Sequence, residues 1–253
     1  MLTAEIIGFM RAVDAGVVRF AAPRERPHPV VLPSYGGARR QPNLTALLAL
    51  LLKRFGVPVL IHGVSGAAPG RVTTADILLE LGIEPSTSLA DAQSRLDCES
   101  VAYVPDTVLA PGLARILERC PPLGVDPPAH AFASLIDPFG GDGYRVVGVA
   151  RADQLPPLRE FLAATHANAQ LLQGTEGEPV ADPCRQPLIE TFANGEISVC
   201  AELEAGTPAT PLLPAGTDAP TTAAWIARAL SGEEPVPDPL VTQLACCLEA
   251  ARR

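Results

Sequence analysis

The sequence predicts an α/β protein in which a mostly parallel central sheet is flanked by helices. Two observations support this fold class. Short, continuously apolar segments, typical of strands buried in a parallel sheet, alternate with longer segments whose apolar residues have helical spacing. Glycine and proline residues lie between these segments and mark the turns. Strands that alternate with helices form parallel sheets through right-handed crossover connections.

The first elements form a helix followed by a strand–helix–strand unit. Residues 3–16 predict a short amphipathic helix that ends at a glycine and must dock on later helices or on a partner chain. After a proline-rich connection, residues 30–37 read as a buried strand that runs into a glycine turn. A wholly apolar helix over 43–55 and a second buried strand over 57–63 complete the unit.

The alternation continues along the chain and then becomes irregular. Further helices are predicted at residues 73–81, 89–96, 110–119, 128–139, 155–165, 221–230 and 239–252. Further strands are predicted at residues 100–104, 144–150, 168–174 and 197–202. Residues 174–218 are otherwise predicted to be loops. We divide the chain into residues 1–22, a remnant of a helical domain that packs with helices at about 89–135, and residues 23–253, the α/β domain.

Composition excludes membrane-spanning and disordered proteins. Hydrophobic residues make up 47% of the chain, and its mean hydropathy is positive, as expected for a globular core. The longest apolar run, residues 44–52, is shorter than the ~20 residues that a bilayer requires. The first residues lack the basic leader of a signal peptide, so we expect a cytoplasmic protein. Six cysteines without C-x-x-C spacing predict reduced, mostly buried thiols.

Charge is distributed unevenly along the chain. The net charge is −9, yet the segment up to Arg71 carries +6 and the remainder carries −15. Non-specific nucleic-acid binding depends on local contacts to phosphates, so the basic front is compatible with it. The acidic total opposes the long-range part of that attraction.

The turn PSYGGARRQPN, residues 33–43, has features of a phosphate-binding loop. Paired glycines at 36 and 37 let backbone N–H groups approach an anion, and Arg39 and Arg40 add charge-assisted contacts. Asn43 or Thr45 can cap the following helix, whose N-terminal dipole favours negative charge. A strand-to-helix turn also requires glycine for purely steric reasons, so both interpretations stay open.

His62, which ends the second strand, has two interpretations of equal weight: a phosphate contact or a hydrogen bond to a backbone carbonyl. The predicted phosphate- or nucleic-acid-binding residues are Gly36, Gly37, Arg39, Arg40, Asn43, Thr45, His62, Gly63, Arg71 and Thr74. Thr73, Thr74 and Asp76 are also candidates for capping and first-turn positions of the next helix.

The segments SYGGARRQPNLT, GVPVLIHG and TTADILLELGI together resemble the anthranilate phosphoribosyltransferase family, a glycosyltransferase family 3 group. The resemblance runs from about residue 3 to the end of the chain. In that family a G-T-G-G-D loop, an N-I-S-T helix start and a K-H-G-N turn hold phosphoribosyl diphosphate, and a D-E pair binds magnesium. The resemblance implies the nucleoside phosphorylase/phosphoribosyltransferase fold and a homodimer formed through N-terminal helices. That helical segment is a few tens of residues shorter here.

Several family residues are replaced in this chain. Ala38 stands where the family has the loop aspartate, and Ile61 and Val64 replace the lysine and asparagine of the K-H-G-N turn. No D-E dipeptide occurs in or near QGTEGEPVADP, where Glu176 and Glu178 are the nearest carboxylates and the predicted magnesium ligands. A diphosphate leaving group needs its charge neutralised. We therefore expect ordinary anthranilate transfer to be lost, and we assign no catalytic residue and no required cofactor.

The pattern is most similar to the YbiB-like branch of the family. This resemblance implies a homodimer that binds single- or double-stranded nucleic acid with little sequence preference. The alternative is an active phosphoribosyltransferase with a phosphorylated ribose ligand and a non-anthranilate acceptor. In it, Asn43 and Thr45 would contact the diphosphate, and Glu176 and Glu178 would hold magnesium. A third interpretation is a shortened gene product with neither activity.

Overall fold

The structure is a computed structural model that describes residues 3–24, 26–64, 66, 70–119, 132–205 and 209–252. The helices are α1 (Thr3–Asp14), α2 (Thr45–Arg54), α3 (Thr74–Glu80), α4 (Leu89–Glu99), α5 (Asp106–Leu109), α6 (Pro111–Arg119), α7 (Leu155–Ala164), α8 (Ala219–Ser231) and α9 (Asp238–Ala251). The strands are β1 (Val30–Ser34), β2 (Val59–Gly63), β3 (Val101–Pro105), β4 (Tyr144–Val149), β5 (Ala169–Gln173), β6 (Ile189–Ala193) and β7 (Glu196–Ala201).

The seven strands form one sheet in the order β3-β2-β1-β4-β5-β6-β7. The first five are parallel to their neighbours, and β6 and β7 are antiparallel. Val30 of β1 pairs with Val59 of β2 on one side and with Tyr144 of β4 on the other. This arrangement confirms the predicted α/β fold with a mostly parallel sheet.

Both faces of the central strands are buried, which explains their continuously apolar sequences. Val30 and Leu32 belong to the core beneath α2, α3, α8 and α9, whereas Val31 between them belongs to the core beneath α1, α4, α6 and α7. Successive side chains of a strand point to opposite faces, so a strand between two helical layers must be apolar throughout. The wholly apolar sequence of α2 has the same cause, because the helix is buried almost all round.

The sequence prediction missed the strand β6. It expected loops between residues 174 and 218 with one strand, but β6 and β7 form a hairpin that completes the sheet. Asn194 and Gly195 make its turn, both at positive φ. An Asn-Gly pair between two strand-like segments is a strong hairpin signal. The segment IETFA of β6 shows little alternation of apolar and polar residues, because only Ile189 and Phe192 are fully buried.

The expectation of reduced thiols is also wrong for two of the six cysteines. Cys200 of β7 and Cys246 of α9 form a disulfide bond, with their Cα atoms 6.1 Å apart. The two residues are far apart in sequence, and only the packing of α9 beside β7 brings them together. Cys98 is exposed, Cys184 is half-buried and Cys247 is buried as a free thiol.

Helix α1 docks on the same chain. Its Ile6 and Met10 are buried in the second core, and the ring of Phe9 lies 4.8 Å from that of Phe132. Thr3 donates a hydrogen bond of 2.5 Å to Glu160 of α7. The division at residue 22 stays a prediction. Of the predicted helix at 128–139, residues 128–131 lie outside the described residues, and the prediction is wrong for residues 134–139, which form turns and irregular chain after two helical residues. Among the helices described, none has the length and apolar character needed to cross a bilayer.

Candidate functional site

The predicted binding residues converge at the carboxyl ends of the parallel strands. In the strand order, the direction of progression reverses between β1 and β4, and ligands of open α/β sheets bind at such switch points. Three segments meet there: residues 35–44 after β1, residues 71–74 before α3, and residues 174–178 after β5. We call this place the switch-point site.

Glu178 occupies the centre of the switch-point site. Its side chain is fully buried, and its Oε1 accepts hydrogen bonds from the backbone N–H groups of Gly36 (3.1 Å) and Gly37 (2.8 Å). The other carboxylate oxygen, Oε2, accepts a short hydrogen bond from the hydroxyl of Ser34. The glycine amides that the sequence assigned to a phosphate are therefore bonded to a carboxylate of the same chain.

Asn43 and Thr74 complete the surroundings of this carboxylate. Thr74 Oγ1 and Asn43 Nδ2 lie 3.4 Å and 3.5 Å from Glu178 Oε2, and Asn43 Nδ2 donates a better bond of 3.0 Å to Thr74 Oγ1. Asn43 Oδ1 accepts from the backbone N–H of Thr45 at 3.1 Å, which satisfies the first amide of α2. The N-cap position itself is Leu44, so neither Asn43 nor Thr45 is the N-cap residue that the sequence predicted. The Thr45 hydroxyl is buried and has no hydrogen-bond partner within the described ranges.

Glu176 binds the amides that follow the glycine pair. Its Oε1 accepts hydrogen bonds from the three successive backbone N–H groups of Arg39 (3.0 Å), Arg40 (2.6 Å) and Gln41 (3.1 Å). The backbone of Glu176 is left-handed, with φ at 50°, and Gly177 follows at 91°. These two conformations turn the short loop back, so that both carboxylates reach the turn after β1.

The two carboxylates differ in their acid–base behaviour. Burial, opposed by the hydrogen bonds from Ser34, Gly37 and Gly36, raises the pKa of Glu178 above its usual value. For Glu176, partial burial is the largest single influence and raises the pKa. The three amide hydrogen bonds together outweigh it, so the pKa of this carboxyl lies below its usual value. Glu176 is therefore the more firmly ionised of the two.

Arg71 is held against the outside of the glycine turn. Its guanidinium donates to the carbonyl oxygens of Gly36 (3.1 Å) and Gly37 (3.0 Å). Gly37 has φ at 63°, and a Cβ there would lie 3.0 Å from the carbonyl oxygen of Val72, to which Ala38 is bridged. Gly37 is therefore required for steric reasons, and its backbone N–H also donates to an oxyanion, the carboxylate of Glu178.

The side chains of Arg39 and Arg40 lie on the surface beside this turn. Both residues are exposed, and in the described part of the chain neither guanidinium has a hydrogen-bond or ion-pair partner. Their backbones are fixed by Glu176, so the two cations are held at the mouth of the switch-point site. They remain available to an external anion.

His62 and Gly63 lie at the end of β2 and are buried. The Nδ1 atom of His62 lies 2.8 Å from the hydroxyl of Tyr35, within hydrogen-bond distance. The sequence predicted a phosphate or a backbone carbonyl as the partner of His62, and not this hydroxyl. Burial lowers the pKa of His62 to about 3, so the ring is neutral at physiological pH. A Cβ on Gly63 would lie 1.7 Å from the carbonyl oxygen of Ser34, which explains glycine where β1 and β2 approach.

Sequence reasoning did not identify Ser34, Tyr35 or the amide of Gln41 as components of the site. It also treated the two glutamates as metal ligands and not as acceptors for the amides of the glycine turn. One signal pointed that way, because both acids follow the buried strand β5 directly and the amide-rich turn follows β1. The capping prediction for α3 is confirmed, since Thr73 and Asp76 form a capping box.

A metal site is not assembled from the described residues. No group of three or more histidine, cysteine, aspartate or glutamate side chains lies in a suitable arrangement there. The carboxylate oxygens of Glu176 and Glu178 that face the turn accept backbone N–H groups instead. The magnesium role of these two residues stays a prediction.

No protein-family model matches the chain, but comparison with known proteins identifies relatives that cover most of its length. The chain is 39% identical to the uncharacterized protein YbiB of Escherichia coli over 248 residues, which cover 98% of the chain and 77% of YbiB. It is 28% identical to an anthranilate phosphoribosyltransferase of Frankia alni over 83% of the chain, but it spans only 61% of that enzyme's length.

Solved structures show the same fold. The anthranilate phosphoribosyltransferase TrpD of Thermus thermophilus superimposes with a TM-score of 0.73 at 24% identity, over 99% of this chain and 74% of that one. The enzyme of Saccharomyces cerevisiae in complex with PRPP and Mg gives a TM-score of 0.70 at 13% identity, over 100% of this chain and 72% of that one. On the strength of its similarity to YbiB and to these enzymes, the chain belongs to the anthranilate phosphoribosyltransferase-like family, consistent with the YbiB-like branch.

Proposed function

We propose that this phosphoribosyltransferase-like protein binds the phosphate groups of nucleic acid without sequence preference and does not transfer phosphoribosyl groups. One observation supports the proposal above all. The backbone N–H groups suited to a diphosphate already donate to Glu176 and Glu178. The free cations of the same turn, Arg39 and Arg40, point instead to a ligand that binds at the surface.

Phosphoribosyl diphosphate does not fit the amide cluster as it stands. A diphosphate placed on the amides of Gly36 and Gly37 would have to displace the buried carboxylate of Glu178. It would also approach the ionised Glu176, and two like charges 4 Å apart near a protein surface repel by about 4 kcal/mol. Glu176 Oε1 already accepts three amide hydrogen bonds, so a magnesium ion that offset this repulsion would have to bind the other carboxylate oxygen.

A nucleic-acid backbone makes different demands from a diphosphate. It presents a row of single negative charges that guanidinium groups contact at the surface, with no need for a buried pocket. Arg39 and Arg40 meet this demand, since both are exposed and lack partners in the described ranges. They lie within the first 71 residues, where the net charge is +6. Contacts of this kind read no bases, so the expected binding is independent of sequence.

Fluorescence anisotropy with labelled single-stranded DNA and RNA of mixed sequence tests the proposal. We expect binding that weakens steeply with salt, and we expect Arg39→Ala/Arg40→Ala to lower the affinity. The loss of two phosphate contacts should reduce the slope of log K against log salt by about 1.4, at roughly 0.7 per contact for single strands. Unchanged affinity and slope in this variant would contradict the proposal.

The basic pair Lys53 and Arg54 provides a matched control. It lies at the other end of α2, roughly 15 Å of helix from the switch-point site, and Lys53→Ala/Arg54→Ala removes the same charge. We expect this control to leave the salt slope unchanged. Calorimetry with phosphoribosyl diphosphate, with and without magnesium, gives a second test, because the proposal requires no magnesium-dependent binding heat. Metal-dependent binding would support the alternative of an active phosphoribosyltransferase.

Compartment and assembly belong to the same proposal. We infer a cytoplasmic protein that meets nucleic acid as a homodimer, as the family resemblance implies. Sedimentation at several protein concentrations measures the mass, and a monomer at all of them would remove the homodimer from the proposal.

A further inference from the structure

A second cavity lies at the amino ends of the parallel strands, whereas the switch-point site lies at their carboxyl ends. Its volume is about 530 Å³, and it opens between α1, α7 and the starts of β4 and β5. Arg145, the second residue of β4, lines it, whereas the far end of β4 leads towards the switch-point site. Arg11 and Arg19 also line the cavity. We call it the Arg145 cavity.

Arg145 is a buried cation whose hydrogen bonding is incomplete. Only 7% of the residue is exposed, and one guanidinium nitrogen donates to the carbonyl oxygen of Leu135 at 2.9 Å. Its Nε is buried and has no hydrogen-bond partner within the part of the chain that the structure describes. Burial lowers the pKa of Arg145, although Asp137 and Asp14 act in the opposite direction. Even so, arginine stays charged in proteins.

The acidic residues of the cavity are already bonded to groups other than Arg145. Asp14 forms an ion pair with Arg19 at 3.3 Å. Asp137 accepts the backbone N–H of Phe139 at 3.0 Å through its carboxylate, and its carbonyl oxygen accepts from Arg19. No carboxylate of the described residues is within ion-pair distance of Arg145.

A buried charge is strongly disfavoured unless an opposite charge or several hydrogen bonds compensate it. Three arginines and two aspartates line the cavity, so one positive charge is in excess. The cavity is large enough for a small ligand and is open to solvent on one side. Arg145 lines this space with a buried guanidinium that has no carboxylate partner among the described residues. Such a group is suited to an oxyanion, which guanidinium groups bind with charge-assisted hydrogen bonds.

We propose that the Arg145 cavity binds a small oxyanion group, phosphate or carboxylate, through Arg145, with Arg11 supplying a second positive charge at its mouth. This site is independent of the proposed function, because it lies at the amino ends of the strands and shares no residue with the switch-point site.

Titration calorimetry and thermal unfolding with inorganic phosphate and with acetate test the proposal, at constant ionic strength in a zwitterionic buffer. Saturable binding of phosphate alone, of acetate alone or of both supports it and identifies the group. We expect Arg145→Met to weaken that binding by about ten- to a hundredfold, which corresponds to the loss of one charge-assisted hydrogen bond. We expect Arg228→Met, which removes an exposed arginine of α8 paired with Glu234, to have no effect.

A further readout separates binding from a merely structural role. Replacing a buried, unpaired charge by an apolar side chain is often neutral or stabilising, so Arg145→Met should unfold no earlier than the wild type in anion-free buffer. If that variant does not fold, Arg11→Gln, on the exposed face of α1, should still weaken anion binding severalfold. Absence of saturable binding to the wild type would overturn the proposal, as would equal affinity in the variants. Arg39→Ala/Arg40→Ala should retain the binding, which separates this site from the nucleic-acid proposal.

Discussion

The sharpest test of the switch-point site is the substitution Glu178→Ala. It removes the acceptor of three hydrogen bonds, those from the amides of Gly36 and Gly37 and from the hydroxyl of Ser34. Each buried donor left without a partner costs about 1–3 kcal/mol, and relief of the buried charge offsets part of the sum. We expect the free energy of unfolding to fall by about 3 kcal/mol. At this chain length that corresponds to a decrease in Tm of roughly 6–12 °C.

The same substitution should open a binding site for an external oxyanion. The freed amides of Gly36 and Gly37 would face an empty polar space, and inorganic phosphate should take the place of the carboxylate. A ligand at a hundred times its Kd stabilises a protein by about 2.7 kcal/mol, so phosphate should restore most of the lost stability. Urea unfolding at increasing phosphate measures the effect. The comparison is between Arg145→Met and Glu178→Ala/Arg145→Met, so that phosphate bound in the Arg145 cavity does not contribute.

Two outcomes would refute this reasoning. The first is a Glu178→Ala variant whose free energy of unfolding lies within about 0.5 kcal/mol of the parent value, the usual range of a neutral surface change. The second is an equal response to phosphate with and without Glu178, since excluded salts stabilise any folded protein to some extent. Glu178→Gln serves as the control, because its amide oxygen still accepts the glycine N–H groups and its size closes the space to phosphate.

Three further predictions concern pH, redox state and backbone packing. Because burial raises the pKa of Glu178, its contribution to stability is complete below the ordinary value of 4.5 and is lost as pH rises through the higher folded value. Urea unfolding should therefore show the wild type losing stability relative to Glu178→Gln as pH rises from 4.5, and parallel curves would contradict the assignment. Reduction of the bond between Cys200 and Cys246, 46 residues apart, should lower stability by about 2–4 kcal/mol, while Cys200→Ser should not respond to reductant. Equal sensitivity of both proteins would show that the bond contributes nothing. Gly63→Ala should destabilise by more than about 4 kcal/mol, since its Cβ would lie 1.7 Å from a carbonyl oxygen of β1, whereas Gly112→Ala, with open space around it, should be neutral or stabilising. Normal urea unfolding of Gly63→Ala would show that the two strands separate easily.

Most of the fold could be predicted because its signals are local. The buried strands and the helix α2 are apolar over their whole length, and those patterns depend only on neighbouring residues. Strand β7 was predicted, but β6 and its pairing with β7 were missed because β6 lies towards the edge of the sheet and is only partly buried, although Asn194 and Gly195 mark the hairpin turn. The cysteine prediction failed for a related reason, since spacing in sequence carries no information about the packing of α9 beside β7.

Several residues of the switch-point site could also be predicted from the sequence, but the hydrogen bonds between them could not. The glycine turn, Asn43 and Thr74 converge as expected, and an oxyanion does lie on the glycine amides. That oxyanion comes from Glu178, which is 141 residues away from Gly37 in sequence. No local pattern specifies such a contact.

Sequence alone therefore determines which segments are buried, which residues can donate to an anion, and to which family the chain is similar. The order of strands in the sheet decides which anion binds the glycine amides. Strand β5 lies two places from β1, and the left-handed turn at Glu176 carries the following loop back across the sheet edge. Composition and spacing are one-dimensional, whereas a carboxylate satisfies an amide only when the folded chain places the two within hydrogen-bond distance.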